Sequence, residues 1–509
     1  MSASVFVSGC YIVKDEEENL PASLEALAPF VDEVVVYDTG STDRTVEVAR
    51  AHGARVVEGY WDDDFGAARN RALEHCRGTW VLAVDADELL TGNPALLRAP
   101  LRHTRADVFV LEVVSEAWEG GGERSRAVVG RLFRRATCRW RGALHEQLVG
   151  RGREVVVHPL PGVVIDHHGY RTLVVSGRGK LERNHRIAEA ELALGRERGD
   201  ERLPLLLINV GRTANVREDH ARAVEAFGEL DLAALGPEAG VLAAHPAIDS
   251  HLRRGDAEGA QVWARALRGW GEGEQVCRLF EARIAMARED FLAAEALLRS
   301  IRPGTDHRGL EVDDALARDY LGECLLRQGR AEEAAAVVLE NVVGGRSSMN
   351  HVFVVGILGG VPGALDELAA RLPDVLVRPF IGKLQREPAA VSAGFFEALW
   401  RAGRQRTFLA LAASRQWATL PVEQAVAWSL RLRTAGLAEH CPLRAALADP
   451  DLSAAHRVLC GAVLVEAGEQ DVLAVLEELL PRVEDADEEP LLERLRTLAP
   501  GFTASLQLV

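Results

Sequence analysis

Two carboxylates one residue apart are the group in this chain that is best suited to bind a metal ion. Asp85 and Asp87 follow the apolar run 80–84, which predicts a buried strand ending at a polar edge. Side chains alternate along an extended chain, so both carboxylates are expected on one face. Their oxygens suit Mg²⁺ or Mn²⁺. Acids that merely end a strand in water would have the same pattern, so the upstream residues must decide.

Two acidic turns upstream add to this group. Asp15 and Glu16 follow the apolar run 5–13, and Asp38 and Asp43 follow a second apolar run at 34–37. In an open parallel sheet, ligands bind beyond the carboxyl ends of the strands. The three acidic clusters are therefore expected to converge on one crevice.

The elements that would position these acids are successive βα units. Gly40 permits a tight turn, and Ser41, Thr42 or Asp43 can cap a helix that begins near Arg44. The predicted strands cover 5–13, 34–37, 55–57 and 80–84, with helices between them. Strands that alternate with helices predict a parallel sheet covered on both faces.

The order of these motifs resembles that of family 2 glycosyltransferases of the GT-A fold. The similar segments are 11–16, 36–45, 68–70 and 80–88. The resemblance implies an α/β, Rossmann-like domain with a mostly parallel sheet. It also implies a nucleotide-sugar donor, most simply a UDP-sugar, and Mn²⁺ or Mg²⁺ as cofactor.

The resemblance assigns roles residue by residue. Glu16 and Asp38 would contact the base and ribose, and Arg69 would offset phosphate charge. Asp85 would lie on the ribose side, and Asp87 would bind the metal, which stabilises the departing diphosphate. The whole implied donor-binding set is Glu16, Asp38, Ser41, Asp43, Arg69, Asn70 and Asp85.

Two downstream segments could complete the site. Inverting transfer needs a base for the acceptor, and Glu146, beside an Arg-rich segment, is the candidate; a salt-bridged surface glutamate is the alternative. His167 and His168 end another apolar run. The resemblance implies that one of them is a metal ligand, and we assign His168, although an isolated histidine is usually structural.

Composition narrows the choice of partners and compartment. Lys and Arg total 59 against 76 acids, a net charge of −17, which disfavours nucleic acid or an anionic membrane as partner. The 7 cysteines are scattered without Cys-x-x-Cys spacing, so they predict neither a disulfide framework nor a zinc site. With no predicted membrane span and no basic N-terminal segment, we expect a cytoplasmic protein.

Beyond residue 200 the composition becomes that of a helical repeat array. Turn signals recur near residues 255, 289, 403, 436 and 468, at intervals of roughly 34 residues where neighbouring copies are clear. The clearest copy, 320–334, resembles a tetratricopeptide repeat, with Gly322 for close packing, Gly329 in the turn and Ala334 against the partner helix. The predicted domains are 1–170 (GT-A), 171–200 (a connecting helix) and 201–509 (repeats).

These features predict a metal-dependent, inverting glycosyltransferase. Its acceptor could be a peptide or protein side chain that the repeats help to select, because such arrays bind peptides or other domains. The repeats could instead only support the catalytic domain or form a homodimer. A different class remains open: a catalytically inactive, nucleotide-binding scaffold or adaptor, which would bind the donor without turnover.

Overall fold

The computed structural model describes residues 6–115, 125–167, 173–307, 309 and 311–506. The chain forms two compact units, Met1–Asp314 and Ala315–Val509. The first contains a mixed sheet followed by helices, and the described part of the second is helical. This confirms the predicted fold class, an α/β domain followed by helical repeats. The predicted boundaries at 170 and 200 stay a prediction.

Within the described residues, every strand belongs to the first unit. They are β1 (Val7–Val13), β2 (Glu33–Asp38), β3 (Arg55–Glu58), β4 (Trp80–Ala83), β5 (Glu88–Gly92), β6 (Val108–Ser115), β7 (Ser125–Arg134), β8 (Cys138–Arg141), β9 (Gln147–Gly150), β10 (Val157–His167), β11 (Gly304–Thr305) and β12 (Glu311–Val312).

Helices of the first unit lie between the strands and after β10. They are α1 (Leu20–Leu27), α2 (Thr45–Ala51), α3 (Phe65–Glu74), α4 (Pro94–Arg98), α5 (Leu173–Arg198), α6 (Leu203–Val216), α7 (His220–Gly228), α8 (Pro237–Arg253), α9 (Ala257–Gly269), α10 (Glu274–Ala287) and α11 (Phe291–Ser300).

The second unit continues with helices only, within the residues that are described. They are α12 (Ala315–Arg327), α13 (Ala331–Val343), α14 (His351–Gly359), α15 (Ala364–Arg371), α16 (Asp374–Leu384), α17 (Ala389–Arg401), α18 (Arg406–Ser414), α19 (Val422–Thr434), α20 (Pro442–Ala448), α21 (Ala454–Glu466), α22 (Leu473–Leu479), α23 (Asp485–Leu498) and α24 (Pro500–Leu506).

The large sheet brings the ends of the first strands together. Its order is β3-β2-β1-β4-β7-β6-β10-β5. β1 runs parallel to β2 and β4, and β2 to β3, as the βα pattern predicts. β7 returns antiparallel between β4 and β6. Val13 pairs with Asp38, so the turns that follow β1 and β2 start side by side.

Apolar side chains fix these elements in place. All four residues of β4 are buried, as expected for a central strand covered on both faces. The apolar stripe of α1, formed by Leu20, Leu24 and Leu27, is buried against the sheet. α3 begins at Phe65, because Asp64 caps it by accepting a hydrogen bond from the amide of Ala67 at 2.7 Å.

The helical segments confirm several predicted turns. Gly255 adopts a left-handed φ of 73°, and Asp256 caps α9 after it. Gly329 likewise has a φ of 76° between α12 and α13. A Cβ at Gly322 would lie 2.4 Å from Val338, so this glycine does allow close helix packing.

One acidic segment differs from expectation. The run 484–489 suggests a solvated loop, but α23 begins within it at Asp485. The acids remain largely exposed, and three of them lie in the first helical turn, where the helix dipole favours negative charge. Among the residues described above, no helix combines the length and apolar character needed to span a membrane.

Candidate functional site

The turns that follow β1 and β2 are bonded to each other. The Asp15 amide donates to Ser41 Oγ at 2.9 Å, and Asp15 Oδ1 accepts from the Thr42 amide at 2.6 Å. The amide of Glu17 donates to Asp43 Oδ2 at 3.1 Å. The first two acidic clusters therefore form one surface at the carboxyl ends of the strands, as predicted.

Asp38 organises its own turn. It is buried, and its carboxylate accepts from the amides of Gly40 and Ser41, at 3.0 Å each to Oδ2, and from the Ser41 hydroxyl. Gly40 has a φ of 105°, which L side chains rarely adopt. Most of the accepting capacity of Asp38 is thus used within the protein, and its contact with a nucleoside stays a prediction.

Glu16 links these turns to the Asp85–Asp87 segment. Its Oε2 accepts from Asn19 at 2.9 Å, and its amide donates to Thr45 Oγ1 at 2.7 Å. Burial raises the pKa of Glu16, and the charge of Asp87 raises it further, while Lys180 opposes the shift. The Val84 amide donates to the carbonyl of Cys10 at 3.2 Å, and β4 lies parallel to β1, so the third acidic cluster leaves the sheet at the same edge as Glu16.

The segment 85–88 is a turn, which corrects the expected extended geometry. β4 ends at Ala83, and the Glu88 amide donates to the carbonyl of Asp85 at 3.1 Å. Alternation along a strand therefore does not orient the two carboxylates. Instead, Asp85 is bonded to two arginines, and Asp87 faces the end of β10.

Five charged side chains form what we call the charge network. Arg69 Nε contacts Glu146 Oε1 at 2.5 Å, and its Nη2 contacts Asp85 Oδ1 at 2.8 Å. Arg131 Nη2 lies 3.1 Å from Asp85 Oδ2 and 2.5 Å from Glu88 Oε1. The network therefore runs from Glu146 through Arg69, Asp85 and Arg131 to Glu88.

The network perturbs the titration of its carboxylates. Burial works against ionisation of Asp85, but Arg69 and Arg131 outweigh it and hold the pKa of Asp85 well below its usual range. Burial raises the pKa of Glu88 to about 7, with Arg131 opposing and Asp85 adding to the shift. Two arginines thus contact three carboxylates. Their positive charges outweigh the effect of burial on the pKa of Asp85 but not on the pKa of Glu88.

Asn70 fastens α3 to β8. Its Nδ2 donates to the carbonyl of Trp140 at 2.9 Å, and its Oδ1 accepts from the Trp140 amide at 3.0 Å. The Arg69 guanidinium lies 5.2 Å from the Trp140 ring. Asn70 therefore holds the strand before Glu146 against the helix that carries Arg69.

The metal-binding part of the prediction has two described members. Asp87 Oδ2 lies 3.4 Å from His167 Nε2, and both side chains are about one-quarter exposed. His168, the residue assigned as ligand, lies outside the described residues. Across the described ranges, no three His, Cys, Asp or Glu side chains come together so that they could hold a metal ion. One carboxylate and one imidazole fit an ion that takes its remaining ligands from a donor diphosphate.

Part of the chain that contains these residues matches a known protein family. The model of the glycosyl transferase family 2 matches residues 10–146, which include Glu16, Asp38 and the whole charge network. Residues 10–146 are a family 2 glycosyltransferase domain. The predicted resemblance is thereby confirmed.

Proteins similar to part of this chain occur in bacteria. A TPR repeat-containing protein of Synechococcus elongatus is 37% identical over 204 residues, 38% of this chain and 49% of the relative. The SPbeta prophage-derived glycosyltransferase SunS of Bacillus subtilis is 24% identical over 221 residues, 42% of this chain and 50% of SunS. The chain thus spans about half the length of the curated relatives it matches.

Among solved structures, glucosyl-3-phosphoglycerate synthase from Mycobacterium tuberculosis is similar to part of the chain. That enzyme was crystallised with Mn²⁺, uridine diphosphate and glucosyl-3-phosphoglycerate. The match has 26% identity and a TM-score of 0.20, and it covers 23% of this chain and 46% of the synthase.

Sequence patterns did not single out two members of the charge network in the glycosyltransferase domain. Arg131 is one of several arginines between 124 and 153, and Glu88 is simply the next acid after Asp87. Their partners are brought together by the antiparallel pairing of β4 with β7, which a local pattern does not reveal. The guanidinium of Arg69 donates to Glu146 and Asp85 in this structure, so it contacts carboxylates of the charge network.

We expect Asn70→Ala to destabilise the glycosyltransferase domain without changing donor binding. The substitution leaves the amide and carbonyl of Trp140 unpaired, at a cost of about 1–3 kcal/mol for each group. Thermal unfolding and calorimetric titration with UDP and Mn²⁺ would measure the two quantities. A normal melting temperature with weakened UDP binding would instead place Asn70 in the nucleotide site.

Proposed function

We propose that the chain is a glycosyltransferase that moves a sugar from a nucleotide-sugar donor, most simply a UDP-sugar, to an acceptor with inversion. The observation that carries this proposal is that Glu16 follows β1 while Asp85 and Asp87 follow the neighbouring parallel strand β4, so all three lie at one edge of the sheet, within the segment that matches the family. Ligands of open α/β sheets bind at this edge.

In this proposal, Asp87 and His167 hold a divalent cation. When bound, the cation would supply Lewis-acid stabilisation of the departing diphosphate. The pair combines an oxygen and an imidazole nitrogen, a donor set that suits Mn²⁺ better than Mg²⁺. His168 stays a candidate for a further ligand.

Asp85 would receive a ribose hydroxyl. Its side chain is 35% exposed although each oxygen already accepts from an arginine. A carboxylate offers about four lone-pair sites, so room for a further hydrogen bond remains. Arg69 and Arg131 keep Asp85 ionised and fixed in position for that contact.

Glu146 would be the general base. Arg69 binds its Oε1, and within the described part of the chain its Oε2 accepts no hydrogen bond. Oε2 would take the proton from the acceptor nucleophile as that nucleophile bonds to the anomeric carbon. The bond from this carbon to the diphosphate breaks at the same time, and the leaving nucleoside diphosphate carries away the electron pair.

The acceptor in this proposal is a peptide or protein side chain that the helical repeats help to select. Arrays of helical pairs present extended surfaces of the kind that bind peptides. The confirmed repeat turns at Gly255 and Gly329 support such an array in each unit.

A donor screen tests the proposal. The full chain is titrated with UDP-, GDP- and TDP-sugars, with and without Mn²⁺, and the released nucleoside diphosphate is measured. We expect saturable, Mn²⁺-dependent binding of one donor and slow hydrolysis, which Glu146→Gln reduces without weakening binding. Tight donor binding with no release of diphosphate, even with candidate peptides, would favour the scaffold; no binding of any donor would reject both functions.

A further inference from the structure

The loop between β8 and β9, residues 142–146, contacts the sheet domain on one side. The amides of Phe65 and Gly66, in the first turn of α3, donate to the carbonyls of Ala143 at 2.9 Å and Gly142 at 3.2 Å. These amides have no partner within a helix, so the loop supplies what the helix end lacks. The loop therefore fixes the start of the helix that carries Arg69.

The same loop enters the core of the first helices on its other side. Leu144 is buried in a hydrophobic cluster that extends from α5 to α10, where Ile187 and Leu192 of α5 and Leu206 of α6 also lie. Ala143 and Phe65 pack against this cluster. Close-packed cores transmit displacement, so a shift of α6 would move Leu144 with it.

Only His145 separates this anchor from Glu146. His145 has a φ of 52°, which turns the chain so that Leu144 lies in the helical core and Glu146 in the charge network. The loop packs closely against α3, because a Cβ at Gly66 would lie 2.5 Å from the Gly142 oxygen. The loop is thus held by α3 at Gly142 and by the helical core at Leu144, two residues before Glu146.

We propose that Leu144 is a positioning residue for Glu146, and that the helix pair α5–α6 is thereby part of the catalytic unit. Seating Leu144 in the helical core sets where Glu146 meets Arg69. The catalytic consequence rests on the proposed function, in which Glu146 is the base. The structural consequence is that Leu144 orders residues 142–146 and the start of α3, and it is independent of the proposed function.

The test compares three variants of the full chain. Leu144→Ala removes the anchor, and Leu144→Met restores most of its volume. Leu267→Ala is the matched control, because Leu267 is buried in the same helical core on α9 and lies outside the loop. Hydrogen exchange of residues 64–68 and 142–150, donor binding, and kcat for the donor identified by the screen are measured for each.

We expect Leu144→Ala to speed exchange in both segments at least about tenfold and Leu267→Ala to leave them unchanged. The kcat of Leu144→Ala should fall about 100-fold with donor binding unaltered, because a small misplacement of a catalytic group costs that much. Leu144→Met should restore both the slow exchange of the two segments and the wild-type kcat. Equal exchange in Leu144→Ala and Leu267→Ala would overturn the inference.

The two readouts separate the inference from the proposed function. If the wild-type chain turns over no donor, the proposed function fails, but faster exchange confined to Leu144→Ala would still support the positioning role. If turnover is present and Leu144→Ala retains normal kcat, Leu144 does not position Glu146, whatever its exchange.

Discussion

Replacing Asp87 with asparagine should abolish Mn²⁺-dependent turnover of the donor. Asp87 Oδ2 lies 3.4 Å from His167 Nε2, within ion-pair distance, and the neutral amide of asparagine is a poor ligand for a hard cation. We expect a loss of about 10³-fold in kcat/KM, which corresponds to about 4 kcal/mol of transition-state stabilisation. Nucleoside diphosphate release at varied Mn²⁺ measures the loss.

Asp166→Asn is the matched control for that experiment. Asp166 precedes His167 on β10 and is also partly buried, but alternation along the strand directs it to the opposite face. Its activity should stay within about twofold of wild type. If Asp87→Asn retains Mn²⁺ dependence, Asp87 is not the protein ligand that the cation needs.

Arg131→Ala should be the most destabilising single substitution in the charge network. It leaves Glu88, whose side chain is 2% exposed, without its guanidinium and removes one of the two arginines on Asp85. Removing one partner of a buried ion pair typically costs about 3–5 kcal/mol. Hydrogen exchange of the β4 and β7 amides gives the opening free energy of this region separately from that of the helices, and so measures the loss.

A compensating pair of substitutions distinguishes charge from packing. Arg131→Met combined with Glu88→Gln removes the cation and the buried negative charge together, so we expect it to regain at least half of the loss. Arg50→Ala breaks an exposed pair with Glu58 and should cost no more than about 1 kcal/mol. Equal losses in Arg131→Ala and Arg50→Ala would mean that the network contributes little to stability.

The parts of the fold that were predictable are those that local patterns determine. The first four strands were found because each is a short apolar run followed by polar turn residues, and the structure places their turns at one edge. The repeat turns at Gly255 and Gly329 were found because a left-handed φ after a helix favours glycine.

The parts that were not predictable depend on distant pairing. Arg131 and Glu88 are 43 residues apart, and Arg69 and Glu146 are 77 apart, so no periodicity links them. The turn at 85–88 ends a strand that the apolar run alone would extend. Sequence therefore singled out Arg69 and most of the acids of the candidate site, whereas the contacts of Arg131 with Asp85 and Glu88, and of Arg69 with Glu146, depend on the antiparallel return of β7 and on the β8–β9 loop.

These separations imply an order in which the site is completed as the chain is synthesised. Arg69 and Asp85 are 16 residues apart and can pair as soon as β4 joins β1. Arg131 and then Glu146 are synthesised later. Asp85 therefore gains its contact with Arg131 only after β7 has been made, and Arg69 gains its contact with Glu146 only after the β8–β9 loop has been made. A nascent chain that ends before β7 thus carries Asp85 and Glu88 without Arg131, the guanidinium that both carboxylates contact in the finished domain.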